Sequence, residues 1–341
     1  MSSTNINILV TGATGFLGVN ILKAFAKQDN VNVIAACRNK NKLPECFKGE
    51  VRQGDLRDPL YRQSVVRNID VICHAGTWAA MWAHNKEEEE NFYQPTTDLI
   101  DQAIAAGVKR FLMTSTVAIT RVSKDGSAKD DFSLPFHTGF WPHLDRLVDV
   151  ENYMQTNAHR GMQMVTMRLG HFVGVGNRVG LVPALVPRLK TGMVPWLAGG
   201  KSHIPLVADS DVANSYVAAT FAEDLEIYES FNICGSTFPT MHEVIEYISD
   251  KTGVLKPMFS IPYPAAYLFA WLMEKLFPVL PGKSPFLTRS IVHLSEEWLC
   301  NTEYAKTKLG YTPQKDWQTT MDEALDELKT MNYPWPHLAQ K

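Results

Sequence analysis

Apolar residues in the first half of the chain fall into short runs of two alternating kinds. Ile6-Asn7-Ile8-Leu9-Val10 has the length and composition of a buried strand. From Val19 to Ala26 the period changes, and Ile21, Leu22, Phe25 and Ala26 share one helical face. Val31–Cys37 reads as a second strand, and Gly54-Asp55-Leu56 closes a third. Val71-Ile72-Cys73-His74-Ala75-Gly76 is a short apolar strand ending in small residues. Phe92 to Ala106 carries helical spacing, Val108 to Thr116 is a strand ending in hydroxyls, and Met162 to Leu169 is another strand. Strands that alternate with helices predict a parallel sheet with helices on both faces, and ligands at the carboxyl ends of its strands. From about Val182 the rhythm breaks into Pro-rich loops and separate helices, the pattern of a smaller lobe over the site.

Composition narrows the class. At 341 residues the chain suits one two-lobed unit, and a net charge of −3 gives nucleic acid no electrostatic reason to bind. The one charge run, Glu87 to Glu90, is expected to be a solvated helix start. Cys37, Cys46, Cys73, Cys234 and Cys300 are scattered, without a Cys-x-x-Cys pair. Reduced thiols in a cytoplasmic setting are expected, and no metal site. The polar start Met1–Asn5 carries no apolar signal region, and no stretch has the length of a clean membrane span.

Thr11-Gly12-Ala13-Thr14-Gly15-Phe16-Leu17-Gly18 joins the first strand to the first helix. Gly12 permits a tight turn, Gly15 lets backbone N–H groups approach a pyrophosphate, and Gly18 lets the helix pack close to the strand. The helix N-terminus adds unpaired donors and partial positive charge. These features predict a dinucleotide-binding, Rossmann-like doubly wound sheet over residues 1–180. A mainly substrate-binding lobe is expected over 181–341, with segments such as 205–235 returning to the sheet. After the second strand Arg38, Lys40 and Lys42 offer cations to a 2′-phosphate where a NAD site usually has an acid, which favours NADP over NAD. The expected cofactor residues are Gly12, Thr14, Gly15, Phe16, Leu17, Gly18, Arg38, Lys42, Asp55, Leu56, His74, Ala75, Gly76 and Thr114.

Thr11 to Gly18, Gly54-Asp55-Leu56, Gly107 to Thr116, Arg168 to Gly174 and Asp209 to Ala213 together resemble the extended short-chain dehydrogenase/reductases. That group includes the NAD-dependent epimerase/dehydratases. The tail, through Pro262–Gly282, Leu287-Thr288-Arg289 and Tyr304–Tyr311, is similar to the 3β-hydroxysteroid dehydrogenase-like branch. The resemblance implies a homodimer, hydride exchange with a nicotinamide, and a Tyr-x-x-x-Lys pair on the helix before the Arg168 strand. The Tyr exchanges a proton with the substrate oxygen, and the Lys lowers the Tyr pKa.

That pair is missing. Counting back from Arg168 with Glu151 as the usual acid puts His143 in the Tyr place and Leu147 in the Lys place. A shift by two gives Trp141 and Asp145. Thr116 is expected to orient the substrate oxygen and His143 to shuttle the proton, with Arg146 replacing some of the lost charge. Tyr247–Lys251 and Tyr304–Lys308 repeat the spacing but lie downstream of the sheet, where surface roles are expected. Trp78, Met81, Trp82, Trp141 and His171 suit a flat apolar substrate, steroid- or lipid-like. The segment 262–280, apolar except for Glu274 and Lys275, is expected to cover that pocket, pack on the sheet or touch a membrane surface. The expected function is oxidation or reduction at a CH–OH/C=O group. The alternatives are a dinucleotide sensor without turnover and a sugar-nucleotide epimerase/dehydratase.

Overall fold

The computed structural model describes residues 5–121, 131–178, 180–277 and 285–331. In chain order the strands are β1 (Ile6–Thr11), β2 (Val31–Cys37), β3 (Glu50–Gln53), β4 (Val71–His74), β5 (Arg110–Thr116), β6 (Gln163–Leu169), β7 (His171–Val173), β8 (Trp196–Leu197), β9 (Leu206–Ala208), β10 (Tyr228–Ile233) and β11 (Ser260–Ile261). The helices are α1 (Phe16–Phe25), α2 (Pro59–Val65), α3 (Asn85–Glu88), α4 (Gln94–Ala105), α5 (Pro142–Asn157), α6 (Leu181–Leu189), α7 (Asp209–Phe221), α8 (Met241–Thr252), α9 (Tyr263–Leu276), α10 (Arg289–His293), α11 (Glu303–Leu309) and α12 (Trp317–Thr330).

Seven strands form one parallel sheet in the order β10-β6-β5-β4-β1-β2-β3. The chain builds outward from β1 to β3, then crosses over and builds outward again from β4. The strand order therefore reverses between β1 and β4, where a crevice opens at the carboxyl ends. Thr11 and His74 are the paired residues at that edge.

Continuous apolar runs become central strands because both faces are covered. Ile8, Leu9 and Val10 are fully buried, and Ile21 of α1, Tyr216 of α7 and Leu309 of α11 share the core on one face. On the other face Val65 of α2, Leu99 of α4 and Val150 of α5 pack together. Ile21, Leu22 and Phe25 point inward as the spacing predicts, but Ala26 is exposed. The helix ends at Phe25, so Ala26 only caps it and Ala24 takes the inward position. The third strand stops at Gln53, before Gly54. The helix expected over Phe92–Ala106 is entered through a π-helical turn, Glu89–Tyr93.

Beyond β6, the two-stranded pairs β7/β9 and β8/β11 carry α6, α8 and α12, with Val173, Leu206, Val244 and Met321 at their centre. α9 and α10 form a separate small cluster through Ala266, Ala270 and Val292. Among the described residues no helix is long and apolar enough to cross a membrane.

Candidate functional site

The glycine loop is shaped by what cannot fit beside it. Gly12 has φ +62°, and a Cβ there would lie 2.6 Å from the Ala75 carbonyl oxygen and the Gly76 nitrogen. A Cβ on Gly18 would lie 2.2 Å from the Gly12 carbonyl oxygen. Gly15 differs: its only close neighbour would be the Gly12 carbonyl oxygen at 3.2 Å. It is also exposed, and as N-cap of α1 it gives the helix no side-chain cap. An open backbone face therefore adjoins uncapped helix donors, the arrangement that suits a diphosphate. Thr14 and Phe16 are half-buried beside it, Leu17 is buried, and Phe16 stacks on Phe172 at 5.6 Å. Phe172 was not among the expected residues, since its contact joins distant segments.

His74 and Thr114 correct the expectation. The buried His74 ring meets Thr11 Oγ1 through Nδ1 at 2.9 Å and Thr96 Oγ1 through Nε2 at 3.2 Å. Both nitrogens are spent within the protein, and burial pushes the imidazole down to about 4, so it is neutral. Thr114 Oγ1 donates to the His74 carbonyl at 2.8 Å and lies 2.5 Å from the Tyr216 hydroxyl. These side chains fix the crevice edge rather than face a ligand. Thr11 Oγ1 also accepts from the Gly76 N–H at 3.3 Å, so β1, β4 and the small residues Ala75 and Gly76 are tied together.

At the outer end of the crevice Arg38 and Lys42 are exposed and form no ion pair among the described residues. Asn39 caps the turn Lys40–Lys42 by accepting from the Asn41 N–H. Asp55 and Leu56 follow β3 and are half-buried. Asp55 is held by Arg57, with Nη2 2.6 Å from Oδ2. That hydrogen bond keeps its carboxyl below the usual range, and Arg38 adds a smaller pull. Arg57, which also reaches Asn91 at 3.2 Å, escaped sequence reasoning because no periodic pattern marks it.

α5 is placed by buried charge. Glu151 pairs with Arg168 of β6 at 2.7 Å and accepts from Ser115 Oγ of β5 at 2.7 Å. Asp145 accepts from Thr138 and Gly139 backbone N–H groups at 2.6 and 3.1 Å, which fixes the entry to the helix. Glu151 is thereby locked beside the end of β5, with Leu147 and His143 one and two turns further toward the helix N-terminus. Leu147 is 5% exposed inside the apolar core, and the side chain in the Lys place carries no charge. Next to Ser115, Thr116 remains half-buried and accepts from the Ala118 N–H at 3.2 Å. Arg146 is turned away, to Asp149 at 2.5 Å and Glu89 at 3.3 Å.

Three residues close the α5 end. His143 Nδ1 lies 3.0 Å from Glu88 Oε2, and Glu88 Oε1 accepts from the Ala80 N–H at 2.9 Å. Trp141, buried, donates through Nε1 to the Ala80 carbonyl at 2.8 Å. Glu88 is 0% exposed, which overturns the reading of Glu87–Glu90 as a solvated run. Of the rest of the run, Glu87 and Glu90 are exposed and Glu89 is half-buried.

Other elements drape over this carboxyl edge. Trp78 and Trp82 set their rings edge-on to His84 at 5.7 and 6.2 Å, and Phe277 beyond α9 meets Trp82 at 4.8 Å. From α10, Ser290 donates to the Met81 carbonyl and His293 Nε2 lies 3.2 Å from the Ala118 carbonyl. Neither α10 residue was expected. His171 begins β7 half-buried, and its desolvated ring is pushed down to about 4. The other Tyr-x-x-x-Lys strings lie elsewhere: Tyr247 and Lys251 both reach Asp322 at 2.8 Å. Tyr304 meets Glu229 at 2.9 Å and Lys308 meets the Asp224 carbonyl at 2.9 Å, toward the amino end of β10. On α9 the stripe Ala266 and Ala270 is buried, while Leu268, Phe269, Trp271, Leu272 and Leu276 are exposed.

The pattern described as the NAD dependent epimerase/dehydratase family matches residues 8–234. A 2-alkyl-3-oxoalkanoate reductase of Stenotrophomonas maltophilia (strain K279a) is 25% identical, over 95% of this chain and 98% of its own length. A decarboxylating sterol-4-alpha-carboxylate 3-dehydrogenase of Dictyostelium discoideum is 21% identical, over 93% and 99%. Among solved structures, dTDP-glucose 4,6-dehydratase from Streptomyces venezuelae with NAD bound superposes with a TM-score of 0.76 at 18% identity, over 97% of this chain and 99% of that one.

Proposed function

Since the chain belongs to the NAD dependent epimerase/dehydratase family, we propose that it is an oxidoreductase that interconverts a carbinol and a carbonyl on an apolar, steroid- or lipid-like substrate. The observation that carries this reading is the open Gly15 face beside the uncapped start of α1, at the reversal of strand order. In it the diphosphate of the dinucleotide rests on the loop Gly12–Gly18, with Asp55 and Leu56 toward the adenine. Arg38 and Lys42, exposed and unpaired, receive a 2′-phosphate, so NADP is the proposed form within an NAD-dependent family. When bound, the dinucleotide supplies or accepts the hydride. Thr116 holds the substrate oxygen, and Trp78, Trp82 and Trp141 flank it, with His171 nearby. The relatives' names support the substrate class, since both specify apolar carbon skeletons bearing a carboxylate. The division near residue 180 between dinucleotide and substrate portions belongs to the same proposal.

One observation favours a second reading, a dinucleotide sensor. Leu147, buried in the core, removes the cation that the family chemistry uses. The experiment is to add NADPH or NADH to the purified protein, follow thermal stability, then follow nicotinamide absorbance with hydroxysteroids, lipid ketones and 3-oxo acids. Stabilisation with turnover supports the oxidoreductase. Stabilisation without turnover on the whole panel supports the sensor, and no stabilisation overturns both.

The proposal extends to α9, whose outward face from Pro264 to Leu276 carries Lys275 as its one charge. We assign that face to a lipid surface, with Lys275 at headgroup level, because it is apolar apart from that one cation and a fourteen-residue helix is too short to span a bilayer. Co-sedimentation with anionic vesicles, abolished by Leu268→Glu with Leu272→Glu, is the expected outcome. Failure of the unaltered protein to sediment contradicts the assignment.

A further inference from the structure

The carboxylate of Glu88 is the least expected group near α5. A buried carboxylate is costly unless it is paired and hydrogen-bonded. Here the short helix α3 passes into the π-helical turn Glu89–Tyr93, and such turns re-aim neighbouring side chains. Glu88 and Phe92 both end up buried, with the Phe92 ring 5.5 Å from His143.

We infer that Glu88 is the positioning residue of a Glu88–His143 dyad that moves the proton in place of the missing Tyr–Lys pair. This rests on the oxidoreductase reading above. An ionised carboxylate only accepts, so the Glu88 Oε2 contact requires Nδ1 of His143 to donate. In a neutral ring that leaves the lone pair on Nε2. Nε2 has no hydrogen-bond partner among the described residues, and the side chain is 13% exposed, so this atom is open to a substrate. Its place follows from Glu151: two turns of helix, roughly 12 Å at ~1.5 Å per residue, carry His143 past Ser115 toward the carboxyl edge of the sheet.

The dyad also explains why Tyr and Lys are lost together. A phenol ordinarily titrates near 10 and needs a cation to work near neutrality, whereas an imidazole ordinarily titrates at about 6.5. With imidazole as the acid–base group the cation is dispensable, and apolar Leu147 is tolerated in its place.

In the oxidative direction Nε2 takes the hydroxyl proton as the O–H bond breaks. The C–O bond becomes C=O, and the bound dinucleotide would be the oxidant that accepts the C–H electron pair as hydride. The imidazolium that forms is stabilised by Glu88. In reduction the same proton returns from Nε2 to the substrate oxygen. Because Glu88 also holds the Ala80 N–H while Trp141 holds the Ala80 carbonyl, the dyad is fixed to the segment between Trp78 and Trp82.

Every charged group around His143 has a place. On α3 and the π turn these are Lys86, Glu87, Glu88, Glu89, Glu90 and Tyr93, whose ring lies under Arg146; on the start of α5 they are Asp145, Arg146 and Asp149. Lys86 pairs with Glu90, Glu87 with His84, Arg146 with Glu89 and Asp149, and Asp145 with the Thr138–Gly139 backbone. The adjoining turn Val117–Ile119 has no titratable side chain, and His293 of α10 meets Trp141 rather than His143. Among the described residues Glu88 alone contacts the ring as an ion.

The test combines kinetics with ring NMR. In the unliganded protein, nitrogen chemical shifts of His143 should report the Nδ1–H tautomer, and Glu88→Gln should mix the tautomers. With a turned-over substrate, Glu88→Gln should lower kcat at least tenfold with KM within about threefold, and move the controlling limb of the pH profile. Trp141→Phe, which loosens Ala80 without touching the proton path, should raise KM and leave the pH profile in place. Dinucleotide-induced stabilisation, retained in all three proteins, checks folding. An Nε2–H tautomer in the unaltered protein overturns the dyad, as does a Glu88→Gln pH profile that superposes on the original. Absence of turnover in the unaltered protein instead removes the oxidoreductase reading, whatever tautomer the ring shows.

Discussion

The glycine loop and the start of α5 both lie at the carboxyl edge of one sheet, yet they are built differently. The loop is backbone geometry: Gly12 and Gly18 are required because a Cβ would strike carbonyl oxygens or amides within 2.6 Å. The α5 end is side-chain chemistry assembled from segments far apart in sequence, with Glu88, Ala80, Trp141 and His143 joined by three hydrogen bonds. A site made of backbone tolerates change in its surroundings but none at the glycines whose Cβ positions are filled, here Gly12 and Gly18. A site made of side chains can change its reacting group while keeping its position, and the proposed Glu88–His143 dyad would be such a change.

The largest effect is expected on the loop. Gly18→Ala sets a Cβ 2.2 Å from a backbone carbonyl that cannot swing away, so its cost should exceed the 1–3 kcal/mol (roughly) of ordinary overpacking. Loss of dinucleotide-induced thermal stabilisation is the readout. His143→Ala comes next: a fall in kcat of roughly a hundred- to ten-thousand-fold, with dinucleotide binding retained. If instead Gly18→Ala binds normally and His143→Ala abolishes binding, the contrast between the two sides is wrong.

His74 sharpens the contrast through pH. Its neutral form is the one the fold accepts, and its ring is held down at about 4 against about 6.5 when unfolded. The stability it contributes is complete above about 6.5 and is lost as pH falls toward 4, amounting to about 3 kcal/mol. The melting temperature should therefore fall across that window, less steeply in His74→Gln; a parallel fall in both proteins contradicts the assignment. The smallest effect belongs to exposed Arg38. Arg38→Ala should weaken NADPH about tenfold and leave NADH unchanged, as titration calorimetry can read.

What the sequence discloses follows the same divide. Ile8-Leu9-Val10 and Thr11–Gly18 are legible because a strand buried on both faces and a glycine-dependent turn leave local patterns. Glu88 is not legible. Within four consecutive glutamates nothing local distinguishes the one that the π-helical turn aims inward. His74 and Thr114 lie where the crevice pattern puts ligand contacts, but Thr11, Thr96 and Tyr216, far away in sequence, use up their side chains. Ala26 departs from the expected face for a simpler reason, since helix periodicity says nothing of the residue at which a helix stops. Phe172, Ser290 and His293 reach the site only through tertiary packing.

The most direct test follows nicotinamide absorbance with NADPH and apolar ketones or 3-oxo acids, on the unaltered protein and His143→Ala side by side. Hydride transfer by the unaltered protein, reduced at least a hundredfold in His143→Ala while both proteins are stabilised by NADPH, is the predicted result. Equal rates in the two proteins, or no stabilisation of either by a nicotinamide dinucleotide, would contradict it.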